Sequence, residues 1–407
     1  MEHPRRFETR AVHSGERRSG RSSERENGEY FPISTPIYAS TTFSHGDIET
    51  TDRVLGGEEA GYSYARYDNP TVRAFEEALA TLEGEGARAL AFGSGMAAMH
   101  AALAAAELGP GATVLAAEQL YGSTATLLVQ VFGQYDVEVR FVDAYDLEAV
   151  EKRVAQLQPR AVVIETISNP LLRVADVPAI AGITRASGAA LVVDNTFGTP
   201  YLQRPLELGA DIVVYSATKY LSGHGDLTAG AVVTGPPYDG AAEQVRKLVG
   251  GTLGPFEAWL AHRGLKTLAL RMSRQCENAR EISSRLVSHP KVARVHHPAL
   301  GGHPDAEVTR RVLADTGGLV AFELSADPAE EREATFSFLN SLELCVKAPS
   351  LGDIYTLAIH PATSSHRELS PSRRERLGVK ENLIRLSVGI EHPEDVISDL
   401  EAALERL

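Results

Sequence analysis

The feature that most constrains the fold is a series of short, almost wholly apolar runs between residues 61 and 256. The runs at 87–92, 113–116, 137–142, 161–165, 190–194, 211–215 and 229–233 are rich in Val, Leu, Ile and Ala, with little polar alternation. Strands that face water on one side alternate, whereas strands covered on both faces read as continuous apolar stretches. Helical patterns lie between many of the runs, so an α/β fold with a doubly wound, mostly parallel sheet is expected. One helix is legible in detail. Asn69 is an N-cap, Pro70 takes the first helical position, and Val72, Phe75, Leu79 and Leu82 form an apolar stripe that Gly84 ends. A second helix is expected from Gly95 to Gly109-Pro110.

Beyond residue 256 the texture changes. One long helical stretch is expected from Glu257 to about Ser288, strands at 319–324 and 383–388, and a closing helix from Glu394. This reads as a smaller α+β domain over 257–407, after a larger one over 61–256. Residues 1–60 hold prolines and little periodicity, and read as an extended N-terminal arm for subunit contacts. Trp259 and Phe256, near the junction, read as core.

Composition closes off several function classes. Lys and Arg number 40 against 54 Asp and Glu, a net charge of −14, which argues against a nucleic-acid partner held by phosphate neutralisation. No apolar run approaches the roughly 20 residues of a membrane helix, and the opening MEHPRRFETR lacks a signal-peptide stretch. Cys276 and Cys345 cannot form a disulfide framework, so a reducing compartment is expected. The expectation is a cytoplasmic protein with a small-molecule partner.

Segments near the strand ends carry the chemistry. Gly93-Ser94-Gly95-Met96-Ala97-Ala98 joins a strand to a helix start, where free amides bind anions. It also fits a loose dinucleotide fingerprint, with Glu118 as the ribose acid. Asp194 ends an apolar strand. Ser216-Ala217-Thr218-Lys219 ends another and leads into Ser222-Gly223-His224-Gly225. Pyridoxal phosphate needs a lysine amine, an acid opposite its ring nitrogen, and amides and hydroxyls for its phosphate. A nicotinamide site explains neither Asp194 nor the Ser-x-Thr-Lys strand end, so pyridoxal phosphate is the expected cofactor.

The chain resembles the Cys/Met-metabolism, or transsulfuration, family of pyridoxal-phosphate enzymes. The resemblance runs from Thr35-Pro36-Ile37-Tyr38 to the last helix. It is densest in Tyr64-Ala65-Arg66-Tyr67-Asp68-Asn69-Pro70-Thr71, Val193-Asp194-Asn195-Thr196-Phe197 and Ser216-Ala217-Thr218-Lys219-Tyr220. It implies the aspartate-aminotransferase-like fold of type I. By resemblance, Lys219 is the Schiff-base lysine and Asp194 the partner of the pyridine nitrogen. Gly95, Met96, Ser216 and Thr218 match phosphate ligands, and Tyr121 matches the tyrosine that stacks on the ring and serves as acid or base. Asn169 matches a residue near cofactor and substrate, while Arg385 and Ser350 match contacts to the substrate carboxylate. Tyr64 and Arg66 match a pair that reaches the phosphate of a neighbouring subunit, implying a homotetramer, a dimer of dimers with shared sites.

The implied reaction is carbon–sulfur γ-elimination from methionine-, homocysteine- or cystathionine-like substrates, with γ-replacement as the alternative. Ser123 stands where methionine γ-lyases carry cysteine, and Pro349 where cystathionine-handling members carry glutamate. The run Ser350-Leu351-Gly352-Asp353 with His360-Pro361-Ala362 is closer to methionine γ-lyases and sulfhydrylases. No metal is expected: His296-His297 and His303 read as structural, without an acidic partner, because adjacent strand residues face opposite ways.

Overall fold

The computed structural model describes residues 5–16 and 32–407. Residues 1–4 and 17–31 of the expected arm lie outside the described residues. The apolar runs form a seven-stranded sheet from β1 Arg88–Phe92, β2 Thr113–Ala117, β3 Glu138–Val142, β4 Ala161–Glu165, β5 Ala190–Asp194, β6 Ile212–Tyr215 and β7 Gly230–Thr234. Their order is β1-β7-β6-β5-β4-β2-β3, with β7 alone running antiparallel to its neighbours. The central strands are apolar because helices cover both faces, and every residue of β4 is buried. β3 departs from that reading. Its residues alternate, Glu138 and Arg140 outward, because it is an edge strand with a single neighbour.

Parallel pairing brings the carboxyl ends of β4, β5 and β6 to one edge. Glu165 pairs with Asp194, and Asp194 with Val214. The helix Pro70–Glu83 starts where expected, with the Asn69 side chain accepting from the Thr71 and Val72 amides. Its stripe of Val72, Phe75, Leu79 and Leu82 is buried. The helix Gly95–Ala105 stops short of Gly109.

The second sheet has five strands: β8 Val292–His296, β9 Leu319–Leu324, β10 Val346–Lys347, β11 Leu357–Ile359 and β12 Leu383–Ser387, in the order β10-β11-β12-β9-β8. It has its own core, in which Ile282, Phe322, Phe338 and Leu400 pack together. The expected single long helix is two, Pro255–Leu265 and Leu268–Val287. The Gly264 carbonyl accepts from the Thr267 amide and hydroxyl and from Arg271, which takes it out of the regular helical ladder.

The N-terminal segment is less extended than expected and partly packs on its own chain. Helices form at Phe7–His13 and Ile48–Gly56. Ala11 is buried, and the Phe7 ring meets Tyr201 edge-on at 5.7 Å. The second helix is held locally, by Asp47 accepting from the Thr50 amide, and buries none of its residues. Trp259 donates to the Thr35 carbonyl at 3.1 Å, while Phe256 is exposed rather than core. Among the described residues no helix is long and apolar enough to cross a membrane.

Candidate active site

A cavity of about 630 Å3 opens at the carboxyl ends of β4, β5 and β6 and is closed from the other side by the second sheet. Strand ends of open α/β sheets are where ligands sit, because the turns there leave backbone groups free. Gly95, Met96, Tyr121, Asn169, Asp194, Ser216, Thr218, Lys219, Ser350 and Arg385 all line it. Residues far apart in sequence are thus brought together, Lys219 and Ser350 standing 131 positions apart. Tyr64 and Arg66 do not reach the cavity of their own chain. The Arg66 guanidinium donates to the Lys247 carbonyl and lies over the rings of Tyr64, at 5.5 Å, and Tyr67, at 4.9 Å.

Lys219 follows β6 through a turn in which its amide donates to the Ser216 carbonyl. Its Nζ donates to Ser350 Oγ at 2.9 Å. The loop carrying Ser350 lies directly on the Lys219 backbone: a Cβ at Gly352, where φ is +76°, would come within 2.5 Å of the Tyr220 nitrogen. Burial lowers the Lys219 ammonium below its ordinary value, and the positive charge of Arg385 adds to the effect.

Arg385 sits in the middle of β12, its Nη1 donating to Asn169 Oδ1 at 2.9 Å and its Nη2 to the Ser350 carbonyl at 2.8 Å. Its Nε has no hydrogen-bond partner, and no carboxylate pairs with it among the described residues. Burial pushes its guanidinium down to about 10. A buried cation with a spare donor on a cavity wall is costly unless an anion completes it.

At the other wall, burial raises the Asp194 carboxyl, opposed by hydrogen bonds from Thr196. Glu165 is raised further, first by burial and then by the charge of Asp194, and accepts from the Tyr121 amide at 2.6 Å. The Tyr121 side chain itself is 42% exposed. Glu165 and Thr196 were given no role from sequence, although Glu165 carries the same signal as Asp194, a carboxylate ending a buried strand.

The donor set fits pyridoxal phosphate. Ser94 caps the helix Gly95–Ala105 by accepting from the Ala97 amide, leaving the amides before it for an anion. Glycine is required at 95, since a Cβ there would fall 2.8 Å from Ser216 Cβ. Ser216 is the freer hydroxyl. Thr218 Oγ1 already donates to the Ala229 carbonyl and accepts from the Ala229 amide. A protonated ring nitrogen against Asp194 would offset the burial that raises it.

The Cys/Met metabolism PLP-dependent enzyme family matches residues 8–405. The chain belongs to this family. It is therefore a pyridoxal-phosphate-dependent enzyme of cysteine and methionine metabolism, as the resemblance implied. It is 41% identical over 401 residues to L-methionine gamma-lyase of Pseudomonas putida, covering 98% of this chain and 97% of that one. It is 37% identical over 402 residues to cystathionine beta-lyase of Lactococcus lactis subsp. cremoris, covering 98% and 99%. A crystal structure of cystathionine gamma synthase from Xanthomonas oryzae pv. oryzae superposes with a TM-score of 0.90 at 35% identity, covering 99% of each chain.

Two other readings resolve here. Glu118 does not line the cavity, in keeping with the loss of the dinucleotide reading. His296 does have an acidic partner, contrary to expectation: its Nε2 lies 2.8 Å from Glu323 Oε1, because Glu323 comes from the neighbouring β9. Among the described residues no group of three or more His, Cys, Asp or Glu is placed to hold a metal ion.

Proposed function

We propose that the enzyme is a carbon–sulfur γ-lyase that converts methionine or homocysteine, with water, to a 2-oxo acid and ammonia, releasing methanethiol from the first and hydrogen sulfide from the second. The placement of acids in the cavity carries this reading. Its carboxylates, Glu165 and Asp194, both belong to the cofactor wall, while Pro349, Leu351 and Ile359 stand on the opposite side. A substrate with an apolar far end, such as a methyl thioether, suits that lining. A distal ammonium like that of cystathionine would find no acid there among the described residues. Methionine γ-lyases at 41% and 43% identity support the same choice.

The cofactor supplies an electron sink for negative charge developed on the substrate. Arg385 binds the substrate α-carboxylate and so fixes the α-hydrogen toward Lys219. Lys219, its proton affinity lowered by burial and by Arg385, takes the proton from Cα and moves it along the chain. Ser350 holds the Lys219 amine between these transfers. Tyr121 delivers a proton to the departing sulfur.

The reading extends to assembly: a cytoplasmic homotetramer in which Tyr64 and Arg66 of one subunit complete the cavity of another. Exposed Leu248 and Val249 lie next in sequence to Lys247, whose carbonyl holds Arg66, and supply an apolar contact surface. Mixing inactive Arg66→Ala and Lys219→Ala chains should then restore activity through hybrid sites. Verified hybrids without activity would refute sharing.

Product analysis tests the reaction. Incubation with methionine should release 2-oxobutanoate and a thiol. O-acetylhomoserine plus sulfide yielding new sulfur amino acid, with no 2-oxobutanoate from methionine, would replace this reading by γ-replacement.

A further inference from the structure

Behind the cofactor wall runs a hydrogen-bonded chain of side chains to which the reaction assigns no role. Glu83, Tyr215, Asn195 and Thr166 are all fully buried. Tyr215 ends β6 immediately before Ser216, Asn195 follows Asp194, and Thr166 follows Glu165. The chain therefore ties together the three strand ends that form the cavity floor.

The proton bookkeeping gives the chain a direction. Asn195 Nδ2 donates to the Tyr215 hydroxyl oxygen at 2.8 Å, so the single Tyr215 proton is free for Glu83 Oε1, which accepts it. On the other side, Asn195 Oδ1 accepts from Thr166 Oγ1 at 2.7 Å. Asn195 Nδ2 also lies 2.9 Å from the Gln203 carbonyl and 3.2 Å from that of Thr199. Glu83 closes the helix Pro70–Glu83 and anchors the chain to a rigid element packed under the sheet.

Stability alone is a poor reason for this acid. Its Oε2 has no partner. Replacing both members of a buried hydrogen-bonded pair with apolar groups of similar shape is often nearly neutral. The acid also keeps no bare charge in the core. Burial pushes it up to about 8, opposed by the Tyr215 hydrogen bond and by Arg204, and reinforced by Glu207.

We propose that Glu83 is a positioning residue for the pyridoxal phosphate site, acting through Tyr215 and Asn195 to hold Ser216 and Asp194 at a fixed separation. The ring partner and the phosphate ligand stand on different strands. A rigid cofactor spanning them is bound well only if those strand ends keep their offset. The chain supplies a side-chain tie at the point where the ladder hydrogen bonds of β5 and β6 run out.

The inference rests on the cofactor roles of Asp194 and Ser216, not on the choice of reaction. Its test reads cofactor binding rather than turnover, so its failure and that of the γ-lyase reading are distinguishable. The double variant Glu83→Leu/Tyr215→Phe removes the pair without orphaning either partner. Its apoenzyme should melt close to wild type, but bind pyridoxal phosphate at least about fivefold more weakly, the worth of one buried hydrogen bond. The visible dichroism of the bound cofactor should change as well. Glu83→Gln keeps an acceptor for Tyr215 and should stay within about twofold of wild type. Unchanged affinity and dichroism in the double variant would overturn the proposal, as would a Gln variant as weak as the double. Should the double variant fail to fold, Tyr215→Phe decides alone: Asn195 keeps its other acceptors there, and unaltered cofactor binding refutes the tie.

Discussion

On the large-sheet side of the cavity the chemistry stands on turns just past strand ends; on the small-sheet side Arg385 stands in mid-strand. Lys219 and Ser216 come after β6, where the ladder has ended and the lysine amine and serine hydroxyl reach the cavity. Arg385 is paired on both sides, with Ala321 of β9 and Ile359 of β11, and its backbone has no freedom left. On the first wall the Lys219 side chain can move with its proton while the turn beneath it stays hydrogen-bonded. The second, on the proposed reading, is a fixed clamp in which the cost of a buried cation is offset when it holds a substrate carboxylate in one place. The walls should therefore fail differently, one in cofactor attachment and turnover, the other in substrate binding.

Removing the amine breaks the turn-borne wall most severely. Lys219→Ala should lower activity by at least about 10^3-fold, the scale of a lost acid–base group compounded by lost covalent attachment. Borohydride should no longer fix the cofactor to the chain. A borohydride-stable label elsewhere, with activity kept, would remove Lys219 from the mechanism.

The clamp should respond in another currency. Arg385→Lys keeps the charge but loses the forked geometry, and kcat/KM should fall by about 10^2-fold while the visible cofactor band stays as in wild type. Loss of the cofactor from this variant would erase the distinction between the walls.

This difference also explains what was legible in the sequence. Lys219 and Asp194 end apolar runs abruptly, and that break in pattern is visible without a structure. Arg385 interrupts a strand of Leu, Ile, Leu and Ser, where a structural ion pair was the competing explanation; only the packed sheet shows that no carboxylate among the described residues answers it. The large sheet was readable because its central strands are buried on both faces. The strands β8, β10 and β11 were not, because they are short or half-exposed and carry no continuous apolar run. The break between Leu265 and Leu268 depends on Arg271 reaching back to the Gly264 carbonyl, a contact that periodicity does not encode. Glu83 was hidden for a similar reason. At the end of an amphipathic helix a glutamate reads as solvated, and its buried partner lies 132 positions away.

The smallest expected effect concerns two carboxylates, one under each sheet. Glu323 in β9 accepts from His296 and Lys380, and these hold it down to about 2 despite its burial. Glu83 has a hydroxyl but no cation bonded to it, and burial takes it up to about 8. Linkage gives the two opposite signs. The Glu323 contribution is present above the ordinary carboxylate range and lost as pH falls toward 2. The Glu83 contribution is present below that range and lost as pH rises through 8. Glu323→Gln should therefore flatten the acid limb of a Tm–pH curve, and Glu83→Gln the decline between pH 5 and 8. Each shift should amount to only about 2 °C per kcal/mol in a chain of this size. Because Asp194 and Glu165 are raised in the same sense as Glu83, cofactor binding, which on the proposed reading supplies Asp194 with a cation, should flatten the same alkaline limb. A curve whose slope between pH 5 and 8 is identical in wild type, Glu83→Gln and holoenzyme would mean that the large-sheet wall carries no buried neutral acid.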